Sequence, residues 1–112
     1  MYTGTIVQES LDSQEILSMF DIVKIEETDD ENKNDRWHIY TVKVTMNDIL
    51  GLRLHVKSKW YMHFWNEKEL VIVFKDRLFT CTRNDVDSIR QAVEYGKTQG
   101  IAEEQLDFLI TE

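Results

Sequence analysis

The pattern of apolar and polar residues in the middle of the chain predicts three short antiparallel strands. Apolar runs at residues 60–65, 70–74 and 78–82 are separated by polar segments that contain the turn-like residues 66–68 and 75–77. Short strands joined by such turns are typical of consecutive antiparallel strands. The run at residues 70–74 is apolar at every position, so we predict that it is buried on both faces and lies in the middle of the sheet.

The strand at residues 60–65 divides its side chains between two faces. Because strand side chains alternate, one face carries Trp60, Met62 and Phe64. The other face carries Tyr61, His63 and Trp65. We assign the first set to the hydrophobic core. The second set combines aromatic, hydrogen-bonding and proton-exchanging side chains and therefore requires an explanation of its own.

The N-terminal part of the chain predicts three strands, one short helix and one loop. β-Branched and aromatic residues favour strands at residues 2–8, 21–27 and 36–45. Ser13 or Asp12 can cap a helix over residues 14–20. Residues 28–35 contain no apolar side chain and predict a loop, across which the last two strands would pair as a hairpin.

Residues 46–59 fit a strand and a helix equally well. Residues 50–57 alternate apolar and other side chains, as a half-buried strand does. The helical alternative rests on an apolar stripe at Ile49, Leu52 and Val56. Asn47 or Asp48 would cap that helix, and Gly51 would weaken it by about 1 kcal/mol relative to alanine. The pattern alone leaves both structures open.

Residues 85–99 predict the longest helix. A side-chain cap at residues 84–85 precedes it, and Gly100 supplies a left-handed C-terminal cap. Its stripe consists of Val86, Ile89, Val93 and Gly96. Gly96 has no side chain and would let the helix approach the sheet closely. Apolar residues within 101–108 would then attach the C-terminal tail to the core.

Together these elements predict a single α+β domain over residues 1–112. The predicted order is β-α-β-β-α-β-β-β-α, with one antiparallel sheet of five or six strands and two or three helices packed mainly on one face. The first six elements match a ferredoxin-like core, to which the remaining strands would add a hairpin. Such a scaffold hosts many functions, so it assigns none by itself.

The charge of the chain is unevenly distributed. The net charge is −8, and residues 1–35 alone hold ten acids and two bases. Residues 36–97 carry a net charge of +4, and residues 98–112 a net charge of −4. The overall acidity argues against nucleic acid as a partner, because binding to phosphates relies on lysine and arginine. The mildly basic middle is compatible with a small anionic ligand.

The termini and the cysteine content predict a cytoplasmic protein. The N-terminus lacks the basic start and apolar run of a signal peptide, and no apolar stretch reaches the ~18 residues needed to cross a bilayer. The single cysteine, Cys81, lies in a predicted strand, where we expect a small buried hydrophobic residue rather than a nucleophile. We therefore expect no membrane partner.

No established catalytic, cofactor or metal motif is present in the sequence. It lacks a phosphate-binding glycine loop, an HExxH motif, a paired-cysteine zinc pattern and a nucleophile elbow. Residues 28–35 hold oxygen ligands but lack the glycine and the distal glutamate of an EF-hand. The three histidines are far apart in sequence. We therefore predict no metal, no cofactor and no catalytic residue.

Several segments resemble one family of small bacterial and archaeal proteins. They are residues 4–11, 22–24, 37–42, 60–64, 72–79 and 95–108, and the most specific is YGKTQGIAEEQLDF at the last of these. The family has no assigned activity, so the resemblance implies a prokaryotic cytoplasmic domain and no catalytic residues. It also favours a helix at residues 47–58. The chain departs from the family pattern at Ala102, Met62 and His63, which argues against His63 as a shared catalytic group.

Two groups of residues are candidate ligand-binding residues. Tyr61, His63 and Trp65 could line a pocket for a small molecule, but core packing and a subunit interface would explain the same residues. Arg77 and Arg83 flank the last strand of the sheet and could hold an anion near the following helix. The alternative for the two arginines is pairing with nearby acids.

The leading functional hypothesis is a non-enzymatic binding or regulatory module that self-associates as a homodimer. It rests on the lack of a catalytic motif and on the many large aromatic residues in so short a chain. The alternative is a small ligand-binding protein or enzyme that uses Tyr61, His63 and Trp65, with Arg77 or Arg83 holding an anion. A third hypothesis makes the acidic residues 1–35 a docking surface for a protein partner or a mimic of nucleic acid.

Overall fold

A six-stranded antiparallel sheet forms the framework of the protein. The computed structural model describes residues 1–29 and 36–108. The strands are β1 Tyr2–Val7, β2 Asp21–Glu27, β3 His38–Val44, β4 Tyr61–Trp65, β5 Glu69–Phe74 and β6 Arg77–Thr82. They lie in the order β2-β3-β1-β4-β5-β6, and every neighbouring pair is antiparallel. The predicted α+β class with one antiparallel sheet is confirmed.

Two α-helices and several 3-10 helices accompany the sheet. The α-helices are α1 Met46–Leu52 and α2 Val86–Thr98. The 3-10 helices are Gln8–Ser10, Gln14–Met19 and Glu103–Gln105. The short helix predicted at residues 14–20 is therefore present with 3-10 geometry. None of the helices in the described ranges combines the length and apolar character needed to cross a bilayer.

The first four strands have the arrangement of a ferredoxin-like core. They lie in the order β2-β3-β1-β4, so β3 separates β1 from β2. The connection from β1 to β2 contains two 3-10 helices, and the connection from β3 to β4 contains α1. Strands β5 and β6 extend the sheet beyond β4 as the predicted additional hairpin. The predicted hairpin between β2 and β3 also forms.

The helices differ from the prediction in one respect, because they cover both faces of the sheet rather than mainly one. Ile49 and Leu52 of α1 pack with Val71 and Val73, on one face of β5, in what we term the first core. Ala92 of α2 packs with the opposite face of β5 in a second core. The amphipathic stripe of α2 specified that the helix is buried, but not on which face of the sheet.

The continuous apolar run of β5 reflects these two cores. Val71 and Val73 face the first core, whereas Leu70, Ile72 and Phe74 face the second. The predicted burial on both faces is therefore confirmed. The predicted position is corrected, since β5 lies one strand from the edge and the middle of the sheet is formed by β1 and β4. Coverage by helices on both sides, rather than central position, makes β5 apolar.

Helix α1 resolves the ambiguity of residues 46–59 in favour of a helix, but a shorter one than the predicted 47–58. Its N-cap is Thr45 rather than Asn47 or Asp48. The Thr45 hydroxyl accepts the backbone N–H of Asp48, and the Asp48 carboxylate accepts the N–H of Thr45 at 2.9 Å. Beyond the helix, Val56 forms a β-bridge with Leu11.

Helix α2 begins and ends as predicted. Asp85 is its N-cap, and Gly100 follows it with a φ of 85°. Gly96 is buried against the second core, where a Cβ atom would lie 3.1 Å from Phe74 Cε1. Val86, predicted on the buried stripe, is instead 64% exposed because it lies in the first turn. Residues 30–35, which form most of the predicted acidic loop, lie outside the described residues.

Candidate ligand-binding cavity

The C-terminal segment, residues 101–108, covers the face of β4 that lies toward the second core. Its apolar residues Ile101, Leu106 and Phe108 are buried in the second core. The Tyr61 hydroxyl donates a hydrogen bond to the carbonyl oxygen of Gln105. The segment therefore shields the face of β4 that carries Tyr61, His63 and Trp65.

The side chains on this face of β4 form a ladder of rings. The His63 ring stacks on Trp65 with 5.4 Å between centroids and an interplanar angle of 27°. Its centroid lies 6.2 Å from that of Tyr61, and Phe108 meets Tyr61 edge to face at 5.3 Å. His63 is 8% exposed and Trp65 is 4% exposed. Packing accounts fully for Trp65, whereas Tyr61 and His63 also border open space.

A cavity of about 360 Å³ opens beside Tyr61 and His63. We call it the His63 cavity, and its lining residues are Thr5, Val7, Trp37, Lys59, Trp60, Tyr61, His63, Ile101, Glu104, Gln105 and Asp107. The antiparallel topology explains its position. Strands β3 and β4 both pair with β1, so both begin at the end of the sheet where β1 ends. Residues just before β3 and β4 therefore meet there.

The wall of the cavity contains two tryptophans, each of which directly precedes a strand, β3 or β4. The Trp37 and Trp60 rings meet edge to face, with centroids 5.1 Å apart and planes inclined by 62°. Thr5 lies directly across from His63 in the pairing of β1 with β4, so its side chain points to the same face. The cavity thus joins flat apolar surfaces to a hydroxyl and an imidazole, the composition typical of small-molecule sites.

The charged groups lie at the mouth of the cavity. Lys59, Glu104 and Asp107 are all exposed residues, whereas Ile101 and His63 are buried. Lys59 has a φ of 69°, and its aliphatic stem runs beside Gly100 at the C-terminal end of α2. The partial negative charge of that helix end favours the lysine ammonium group. The two carboxylates are therefore the less compensated charges at the mouth.

The environment of Tyr61 changes its acidity. Burial, reinforced by the negative charge of Asp107, raises the pKa of Tyr61 from 10.0 to about 12. The folded state thus holds the phenol in its protonated form, which donates to Gln105. Because the pKa is raised on folding, the stabilisation is complete below pH 10.0 and is lost as the pH rises through about 12.

We expect Tyr61→Phe to alter the alkaline stability of the protein. Near pH 8 the variant should be about 1 kcal/mol less stable, since the hydrogen bond to Gln105 is lost. Between pH 10 and 12 the free energy of unfolding should fall by about 1 kcal/mol less in the variant than in the wild type, because the variant has no phenol whose pKa is raised by folding. The difference is no larger because Tyr61 is partly exposed and solvent screens Asp107. Urea unfolding across this range measures both effects. Tyr40→Phe is the control, because Tyr40 lies on the opposite face of the sheet, against the first core. If the free energy of unfolding depended on pH in the same way in Tyr61→Phe and in the wild type, Tyr61 would not be the group with the raised pKa.

Arg77 and Arg83 lie at opposite ends of β6 and do not line the His63 cavity. The Arg77 guanidinium stacks over the Phe79 and Tyr95 rings, 4.9 Å from each centroid. Arg83 Nη1 donates to the carbonyl oxygen of Asn66 at 2.8 Å. The structure therefore brings Tyr61 and His63 together with Lys59, not with either arginine.

The remaining histidines and several acids serve local contacts. His38 N–H and Nδ1 lie 2.7 and 2.8 Å from the Glu9 carboxylate oxygens, and His55 Nδ1 lies 3.0 Å from Asp12 Oδ1. Burial acts to raise the pKa of Glu9, but the hydrogen bonds from His38 outweigh it and lower the pKa. Across residues 1–29 and 36–108, no three potential ligands are placed to hold a metal ion. Of the acids within residues 1–29, Glu9, Asp12, Glu26 and Glu27 each pair with a histidine, lysine or arginine.

Cys81 is confirmed as a buried hydrophobic residue. It is 3% exposed, and its Sγ lies 3.5 Å from the carbonyl oxygen of Ser88 in α2. Burial raises the pKa of its thiol, which disfavours the reactive thiolate.

Sequence reasoning missed Trp37, Lys59 and the polar residues of the C-terminal segment as lining residues of the cavity. The alternation of residues 60–65 assigns Trp60 to the core alone, whereas in the structure it also lines the cavity. Their convergence depends on strand order, because β1 lies between β3 and β4 and no local pattern brings Trp37 to Trp60. The one available signal was the presence of a tryptophan at the start of two predicted strands. No family model, curated protein or solved structure matches the chain.

Proposed function

We propose that this protein is a non-enzymatic, cytoplasmic binding module that holds a small planar molecule in the His63 cavity. The observation that carries the proposal is the cavity itself, which joins a Trp37–Trp60 wall to the Thr5 hydroxyl and the His63 ring. Its volume of about 360 Å³ lies at the lower end of the usual range for ligand sites, so the ligand is small.

Binding rather than catalysis fits the placement of the polar groups. The His63 ring is held by stacking on Trp65, and the charged residues Glu104 and Asp107 are exposed at the mouth. A buried ring next to apolar walls suits hydrogen bonding that orients a bound molecule. Exposed carboxylates remain solvated and act on a ligand through their charge.

The charges favour a ligand without net negative charge. Glu104 and Asp107 give the mouth two carboxylates, and Lys59 gives it one ammonium group that lies near the negative end of α2. The aromatic wall would also attract a cation over its ring faces. We therefore favour a neutral or amine-bearing planar ligand over the anionic ligand that the composition made plausible.

A thermal-shift screen tests this proposal. The library consists of planar fragments in matched sets that carry an amine, no charge or a carboxylate on the same ring system. Amine or neutral members should raise the melting temperature more than their carboxylates. A ligand at 100 times its dissociation constant stabilises the folded state by about 2.7 kcal/mol, which is readily measured.

Two cavity variants and two matched controls locate the effect. His63→Ala and Trp37→Ala should abolish the shift, whereas His55→Ala and Leu54→Ala should retain it, because neither control residue lines the cavity. Trp37 is 39% exposed, so its truncation should leave the fold intact even where His63→Ala is destabilised. A screen without any stabiliser, or a shift that persists in both cavity variants, would refute the proposal.

A further inference from the structure

Within residues 1–29 and 36–108, strand β2 is an uncovered edge of the sheet. All seven of its residues are exposed, whereas the opposite edge strand, β6, packs against α2. Ile22, Val23 and Ile25 are 37%, 56% and 56% exposed, so large β-branched side chains face solvent on this edge. An apolar edge strand with unpaired backbone groups is a template for a further strand.

The backbone of β2 determines which residues could accept such a strand. The N–H of Thr28 donates to the carbonyl oxygen of Trp37 at 2.9 Å, so the backbone groups of Thr28 face β3. In an antiparallel pair, the backbone N–H and C=O groups of successive residues point alternately toward the partner strand and away from it. The pairing of β2 with β3 continues without interruption to Glu26, which lies opposite Ile39. The N–H and C=O groups of Ile25 and Glu27 therefore point away from β3 to the open edge.

The side-chain charges select one way of pairing β2 with a second copy of itself. If two β2 strands pair antiparallel with Ile25 opposite Ile25, Lys24 of each copy lies opposite Glu26 of the other. If the centre moves by one residue, either Lys24 lies opposite Lys24 or Glu26 lies opposite Glu26, and the like charges repel. Of these arrangements, only the first is centred on a residue, Ile25, whose backbone N–H and C=O groups point away from β3 and toward the second copy. Hydrogen-bond direction and charge thus select the same register independently.

We infer that two copies of this chain associate through β2, with a two-fold axis at Ile25 that joins the two sheets into one. The two Ile25 residues exchange backbone hydrogen bonds, and their side chains meet on the face that also carries Ile22. Two Lys24–Glu26 pairs form between the copies on the other face, where each chain already holds its own pair at 3.2 Å.

The association is expected to be weak. A β-bulge between Ile22 and Lys24 interrupts the edge, so the pairing extends over only a few residues. A lysine and a bulge are devices that normally prevent edge pairing, but here the lysine has a complementary partner in the two-fold register. An interface this small belongs to the transient class, with a dissociation constant in the micromolar range or above.

Analytical ultracentrifugation of the full chain, from about ten to several hundred micromolar, tests the inference. The wild type should show a monomer–dimer equilibrium that weakens with salt. Lys24→Glu should raise the dissociation constant about tenfold or more, since two attractive pairs become repulsive. The double variant Lys24→Glu with Glu26→Lys should restore the wild-type constant, because each new glutamate again faces a lysine.

Two further variants separate edge pairing from general charge effects. Lys75→Glu changes the net charge equally but lies in the turn between β5 and β6, so it should leave the dimer unchanged. Ile25→Pro removes the N–H that faces the edge without removing a bond to β3, and it should abolish the dimer in a folded monomer. A wild type that stays monomeric at every concentration overturns the inference. Equal effects of Lys24→Glu and Lys75→Glu, or a double variant without restoration, overturn it as well.

Discussion

Replacing Gly4 by alanine should lower the free energy of unfolding by about 3 kcal/mol. Gly4 lies directly opposite Phe64 in the pairing of β1 with β4. A Cβ atom at residue 4 would lie 2.0 Å from Phe64 Cδ1 and 2.5 Å from Cε1. Phe64 is fully buried in the first core, so its ring cannot move aside without displacing other core residues. Overpacking of this kind typically costs about 1–3 kcal/mol, occasionally more.

Gly51→Ala is the matched control for the Gly4 variant. No atom lies within 4 Å of a Cβ atom at residue 51, which is in α1. The alanine should therefore stabilise the helix, raising the free energy of unfolding by about 0.5–1 kcal/mol. Urea unfolding monitored by circular dichroism measures both changes. If Gly4→Ala and Gly51→Ala behaved alike, Phe64 would not lie over β1 as described.

Replacing Phe74 by alanine should cost about 4 kcal/mol, since truncating a buried phenylalanine typically costs about 3–5 kcal/mol. Phe74 is 1% exposed and lies at the centre of the second core. Its ring centroid lies 5.1 Å from that of Tyr95, 5.9 Å from that of Phe79 and 6.0 Å from that of Tyr61. Because Tyr61 holds the C-terminal segment, the variant should also weaken ligand binding in the His63 cavity.

Phe74→Leu and Val86→Ala are the comparisons for the Phe74 variant. Leucine retains most of the buried volume and should cost less than alanine, with the C-terminal segment still in place. Val86 is 64% exposed on α2, so its truncation should change stability by less than about 0.5 kcal/mol. Urea unfolding of the three variants gives their order. An effect of Phe74→Ala no larger than that of Val86→Ala would mean that the second core is not formed.

Much of the fold was predictable because short-range patterns determine it. The alternation of residues 60–65 placed Met62 and Phe64 in the first core and Tyr61, His63 and Trp65 on the other face, as the structure shows. The run at 70–74 predicted burial on both faces because no polar residue interrupts it. A local pattern cannot specify which element covers each face, and the prediction that the helices lie mainly on one face is therefore wrong for α2.

The cavity was predictable only in part. The alternation of residues 60–65 places His63 on the same strand face as Tyr61, and a cavity borders both rings in the structure. Trp37 and Lys59 reach the same space because β1 lies between β3 and β4. Glu104 reaches it because the C-terminal segment folds back over β4. A local sequence pattern encodes neither arrangement. The sequence offers Arg77 or Arg83 as the group that holds an anion beside His63, yet neither arginine lines the His63 cavity, because both flank β6, two strands away from β4.

The most direct test of the His63 cavity as a ligand site is a two-dimensional ¹H–¹⁵N NMR titration with the fragment that stabilises the protein most. The backbone amides of Thr5, Trp60, His63 and Gln105 and the indole N–H groups of Trp37 and Trp60 should shift together on one binding curve. The indole of Trp65, which does not line the cavity, should shift less. Shifts concentrated around Arg83 or along β2, with the cavity amides unchanged, would contradict the proposed site.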